Sequence, residues 1–104
     1  MNEARINMLK QYLQDEPTEP FYPYALALEY QQTNPDKARE LFDFLLAQHP
    51  DYLPTYYMAG NFFQQQHPDK AVRIFQQGLR LAQRLNDLNT ARELRAALDN
   101  LDEQ

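Results

Sequence analysis

At 104 residues the chain is long enough for one continuous core, and with no cysteine it must build that core without disulfides or cysteine-held metal. The formal charge of −5 sits entirely in the first half: residues 1–52 carry nine acids and four bases, residues 53–104 six of each. An acidic chain without a dense basic run is unsuited to neutralising phosphates, so no nucleic-acid partner is expected.

The amino terminus, MNEARINMLKQYLQ, alternates charged and apolar residues, and no apolar run reaches the length of a bilayer span. The expected setting is cytoplasmic, with no membrane contact. Two glycines in the whole chain argue against a β-rich fold, a phosphate-cradling loop and a dinucleotide fingerprint. The seven prolines fall between periodic segments and act as punctuation.

In chain order, Asn2 to about Asp15 places Ile6, Leu9 and Leu13 on one helical face with Met8 and Tyr12 beside them. Pro17 and Pro20 end that helix, and Thr18 or Glu19 is the expected cap of the next. From Phe21 to about Gln32, the residues Tyr24, Leu26, Ala27 and Tyr30 give a second amphipathic helix. Asn34-Pro35-Asp36 restarts the chain as N-cap, first helical residue and dipole-facing acid. The third helix carries Ala38, Leu41, Phe42, Leu45 and Leu46 and stops at His49-Pro50.

Asp51 is the expected cap of the fourth helix, in which Tyr56, Ala59, Gly60 and Phe63 share a face. The fifth starts near Pro68-Asp69, contains Ala71, Ile74, Phe75, Gly78 and Leu79, and meets no proline before Leu81 and Leu85. Asn86 to Asn89 reads as a turn, and Thr90 with Glu93 as a capping box for a last helix carrying Ala91, Leu94, Leu98 and Leu101. Asp102 to Gln104 is expected to fray. About six helices with short connections predict an all-α antiparallel arrangement.

Comparing the chain with itself exposes a repeat. A shift of 33 residues aligns Tyr24 with Tyr57, Gln31-Gln32 with Gln64-Gln65, Pro35-Asp36-Lys37-Ala38 with Pro68-Asp69-Lys70-Ala71, Phe42 with Phe75, and Leu46 with Leu79. The same shift aligns Leu13 with Leu46 and Pro17 with Pro50, so the first helix is the second half of an incomplete copy. Repetition at this period marks a helical solenoid, in which each helix pair buries its apolar face against its neighbours.

Tyr56, Ala59-Gly60, Phe63, Ala71, Phe75 and Gly78 in the second copy, with Leu26-Ala27, Tyr30, Ala38, Phe42 and Pro50 in the first, resemble the tetratricopeptide repeat family. Each copy is one residue short in its internal turn, where proline stands for the usual Gly-Asp start. Pro23 replaces the leading aromatic of the first copy, and the second copy lacks its closing proline. The resemblance implies antiparallel helix-turn-helix repeats stacked as a right-handed superhelix. It divides a single 1–104 domain into an N-terminal half-repeat helix (1–16), repeat 1 (20–50), repeat 2 (51–85) and a capping helix (87–101).

The resemblance also implies a protein-protein interaction module whose concave face comes from the first helix of each repeat. By position that face holds Tyr24, Leu28, Gln31 and Gln32 from the first copy, and Tyr57, Asn61, Gln64 and Gln65 from the second. Tyrosines and amides suit an extended peptide, because aromatics supply rigid apolar area and amides bond a backbone. The subset of the family that clamps a carboxylate uses lysine and asparagine at set groove positions. Asn61 fits one of them, but Tyr57 stands where the lysine belongs and Leu28 replaces an asparagine, so no carboxylate clamp is expected.

No catalytic residue, cofactor or metal is predicted. His49 and His67, the only histidines, each precede a proline without a second ligand at metal spacing. The acidic pairs Asp15-Glu16 and Glu40/Asp43 lie at helix ends or on polar faces, and no serine or cysteine is present as a nucleophile. The alternative reading is a self-associating homodimer with contacts through the late helices. It draws on Arg73, Arg80, Arg84, Arg92 and Arg95 against the acidic first half, and on Phe44, Phe62, Leu81 and Leu85 if exposed together.

Overall fold

Proline placement and left-handed or capped turns set the helix boundaries. The computed structural model describes residues 2–102, which form six α-helices and no strand. They are α1 (Glu3–Asp15), α2 (Phe21–Tyr30), α3 (Pro35–Gln48), α4 (Pro54–Phe63), α5 (Pro68–Arg84) and α6 (Leu88–Asp102). No helix among the described residues is long and apolar enough to cross a membrane. Glu103 and Gln104, expected to fray, lie outside the described residues, whereas Asp102 still belongs to α6.

Side-chain caps open α1 and α3. The Arg5 amide donates to Asn2 Oδ1 at 3.0 Å, and the Lys37 amide to Asn34 Oδ1 at 3.4 Å. Pro35 and Pro68 open α3 and α5, where a missing amide proton costs nothing. His67 occupies in the second copy the place of Asn34 in the first, and its side chain makes no cap bond.

Three expected caps are corrected. The N-cap of α2 is Pro20, beyond Thr18 and Glu19, and that of α4 is Leu53, beyond Asp51; neither makes a side-chain cap bond. Both residues already have right-handed helical backbone, so the preceding turns wind into the helix without the extended residue that a side-chain cap needs. For α6 the cap is Asp87, whose carboxylate accepts the Thr90 amide at 3.1 Å, and Thr90 lies inside the helix. The expected 86–89 turn is shorter because Asn86 takes φ 60 and reverses the chain at once. The Asn86 amide donates to the Gln83 carbonyl at 3.1 Å and the Asp87 amide to that of Ala82 at 2.9 Å. This pairing closes α5 as a Schellman motif.

The helix α2 is shorter than the expected Phe21 to about Gln32, and α4 ends at the matching place of its copy. They end at Tyr30 and Phe63, placing Gln31 and Gln64 at the C-caps and Gln32 and Gln65 in the turns. The residue before a proline is pushed out of helical backbone, and Asn34 (φ −145, ψ 74) and His67 (φ −138, ψ 69) both obey. Their amides donate back to the Tyr30 and Phe63 carbonyls at 2.8 Å. A lysine then covers each closing aromatic: Lys37 Nζ stands 5.4 Å from the Tyr30 ring centre, and Lys70 Nζ 3.9 Å from that of Phe63.

The chain divides into two compact units, Met1–Tyr52 and Leu53–Gln104. In the first, α2 packs on both α1 and α3. Ile6 and Leu9 of α1, Leu26 and Tyr30 of α2, and Phe42 and Leu45 of α3 are buried. An ion pair between Arg5 and Glu29 at 2.7 Å ties α1 to α2. Met8 and Tyr12, expected beside the apolar face of α1, are exposed, and Tyr12 rests against Tyr22 with ring centres 5.4 Å apart.

In the second unit α5 is the central helix, packed on α4 and α6. Two glycines make that packing possible. A Cβ on Gly60 of α4 would collide with the Phe75 ring of α5. One on Gly78 of α5 would meet Tyr56 of α4 at 2.5 Å and Leu94 of α6 at 3.1 Å. Leu81, grouped with Phe62 and Leu85 as a candidate exposed patch, is buried on α5. Phe62 is half-buried with its ring edge-on to Phe63, leaving Leu85 exposed at the α5 end.

Two substitutions test these boundaries and contacts in urea unfolding followed by helical circular dichroism. His67→Asn supplies the missing cap and is expected to raise stability by about 1 kcal/mol, the amount that Asn34→Ala is expected to remove. Gly78→Ala is expected to lower stability by about 1–3 kcal/mol through overpacking, although alanine is the better helix former by about 1 kcal/mol.

Candidate binding groove

The sequence repeat alternates first and second helices, and the two units cut that alternation differently. The first unit holds one first-type helix, α2, between two of the second type; the second unit holds two of the first type, α4 and α6, on either side of α5. Side chains that leave α4 and α6 away from α5 therefore meet across a groove within the second unit.

A recess of about 570 Å³ is lined by Tyr57, Asn61 and Gln64 of α4 and its C-cap, facing Glu93, Ala96, Ala97 and Asn100 of α6. Tyr57, Asn61 and Gln64 follow one another at one-turn intervals, and Glu93, Ala97 and Asn100 repeat that spacing. A second recess of about 570 Å³ shares Gln64 and continues over Gln65, Pro68, Asp69, Val72, Leu101 and Asp102. Tyr57 is 37 % exposed, and its ring is tilted against buried Phe75 with centres 6.5 Å apart. That backing holds the ring at the groove wall and leaves an apolar surface free.

All four second-copy residues predicted from the sequence thus line this groove. The first-copy four are placed differently. Tyr24 is half-buried with its ring edge-on to Tyr52 at 5.6 Å, and burial pushes its hydroxyl pKa up. Tyr52 is raised likewise, by burial first and then by Tyr24 and Glu19. Leu28 and Gln31 are half-buried and Gln32 is exposed. A recess of about 290 Å³ in the first unit is formed by Pro20, Gln48, His49, Pro50, Asp51 and Tyr52, and contains none of the four.

The α6 wall was not among the residues singled out from the sequence, because α6 reads there as a cap. Its signal is a displacement of 36 residues from the Tyr57, Asn61, Gln64 series. This differs from the repeat period because α5 has 17 residues where α3 has 14. His67 is exposed and His49 half-buried beside the Phe44 ring, 5.8 Å between centres. Among the described residues no three His, Asp or Glu side chains gather as a metal site.

No protein-family model and no curated protein matches the chain. Solved structures do. A crystal structure of a tetratricopeptide repeat domain protein from Salinibacter ruber is 31 % identical, covering 81 % of this chain and 97 % of that one with a TM-score of 0.75. A solution NMR structure of a tetratricopeptide repeat domain protein from the same organism is 31 % identical, covering 85 % and 91 % with a TM-score of 0.77. The chain belongs to the tetratricopeptide repeat family and has its all-α repeat fold. Domains of this family are in general protein-interaction modules on a non-catalytic scaffold.

Proposed function

We propose that this protein holds an extended segment of a partner protein in the α4–α6 groove. The observation that carries the reading is the pair of facing stripes, Tyr57-Asn61-Gln64 and Glu93-Ala97-Asn100, on the wall of one recess. From Tyr57 to Gln64 the α4 wall runs about 10 Å, room for about three residues of extended chain. Asn61, Gln64 and Asn100 each offer both a donor and an acceptor, the complement of an extended backbone, while Ala96 and Ala97 keep the floor open. Tyr57 supplies flat apolar area at small entropic cost. Tyr24, Leu28, Gln31 and Gln32 belong to the reading as a second, lesser contact region for the same partner.

A self-associating role is the second reading, favoured by two neighbouring exposed leucines at the α5–α6 turn, Leu85 (54 %) and Leu88 (66 %). Under the first reading, Tyr57→Ala with Gln64→Ala abolishes partner capture in a pull-down and leaves helical circular dichroism unchanged; undiminished capture overturns it. Under the second, light scattering at high concentration gives a dimer mass that Leu85→Lys with Leu88→Lys returns to monomer. A monomer throughout removes it.

A further inference from the structure

We infer that the segment taken by this groove is basic, with two or more lysine or arginine side chains. The inference rests on the groove reading above and adds the chemistry of its occupant. The charged residues on the two recesses are Glu93, Asp69 and Asp102, and no lysine or arginine lines either among the described residues. All three carboxylates are on exposed residues, and none forms a hydrogen bond or ion pair within the described residues.

The repeat shows how one of these charges became available. In the first copy Asp36 is neutralised one turn on by Arg39, at 3.0 Å. The matching residues of the second copy are Asp69 and Val72, and both line the groove. With valine in the place of arginine, Asp69 makes no such ion pair among the described residues, although Arg73 follows one turn on. The valine supplies apolar surface on which the methylene stem of a foreign lysine or arginine can lie. Leu101 adds to that surface.

The carboxylates fall in two places. Glu93 stands in the same recess as the exposed ring of Tyr57, so a cation there gains a carboxylate and an aromatic face together. Asp69 and Asp102 share the second recess. Glu93 and Asp102, nine residues apart at about 3.6 residues per turn, stand on opposite sides of α6, so they mark two separate cation positions rather than one line along the helix. Between the two cation positions, Asn61, Gln64 and Asn100 meet the backbone. The arginines of the same unit, Arg73, Arg80, Arg84, Arg92 and Arg95, are exposed on α5 and α6 but line neither recess.

A displayed library of random peptides of about ten residues, panned against the intact protein, reads this directly. The expected enrichment is for peptides carrying two or more lysine or arginine residues. The best such peptide should lose at least about tenfold in affinity when Glu93→Lys and Asp102→Lys are combined, and bind less tightly as salt rises. Enrichment of acidic or uncharged peptides that depends on Tyr57 and Gln64 overturns the basic occupant and leaves the groove. Enrichment indifferent to Tyr57→Ala with Gln64→Ala, or no enrichment at all, overturns the groove reading and the inference with it.

Discussion

The contact on which the second unit depends is the one at Gly78. Tyr56 from α4 and Leu94 from α6 both press on α5 where a hydrogen takes the place of a side chain. Gly60 answers from α4 by admitting the Phe75 ring. Two helices drawn to one point on a third must converge on each other, and their outward stripes then face across a narrow space. A groove between α4 and α6 is a consequence of that close approach. Its walls are the side chains that packing against α5 does not consume.

The same economy governs the turns. A proline at the start of α3 and of α5 disfavours helical backbone at the preceding residue, and α2 and α4 end at Tyr30 and Phe63, where their apolar pattern gives way to Gln-Gln. A lysine above the last aromatic of the shorter helix then shields the corner in both copies. These features carry the repeat because they are local: each needs only residues within a few positions of one another. The copies diverge in what lies next to them. Arg39 pairs with Asp36, whereas Val72 stands at the matching position beside Asp69, which forms no ion pair among the described residues, and that change falls on the groove of the second unit.

The groove presents amides, an aromatic ring, carboxylates on exposed residues and small residues. An interaction module needs this combination: hydrogen-bonding groups that a backbone can satisfy, and apolar area that is already ordered before the partner arrives. Under the inference of a basic occupant, a like-charged segment would have to desolvate against the carboxylates of Glu93, Asp69 and Asp102, which form no ion pair among the described residues.

The sequence by itself determined the helices, the period and most of the core. Ala38, Phe42, Gly60, Phe63, Ala71 and Phe75 are buried as the repeat pattern requires, because apolar spacing and proline position act over one or two turns. It also singled out Tyr57, Asn61, Gln64 and Gln65, as the face that packing leaves over. The caps of α2 and α4 were not legible, since Pro20 and Leu53 owe their places to turns whose backbone no propensity specifies. At α6 the capping-box pattern of Thr90 and Glu93 masks the favoured cap residue Asp87. Nor was the opposite wall legible. Glu93, Ala97 and Asn100 are ordinary exposed residues of a last helix until α6 is laid against α5, and the longer α5 shifts their register away from the period that the repeat suggests. Which side chains are left over was local information; what they face was decided only by three helices meeting at one glycine.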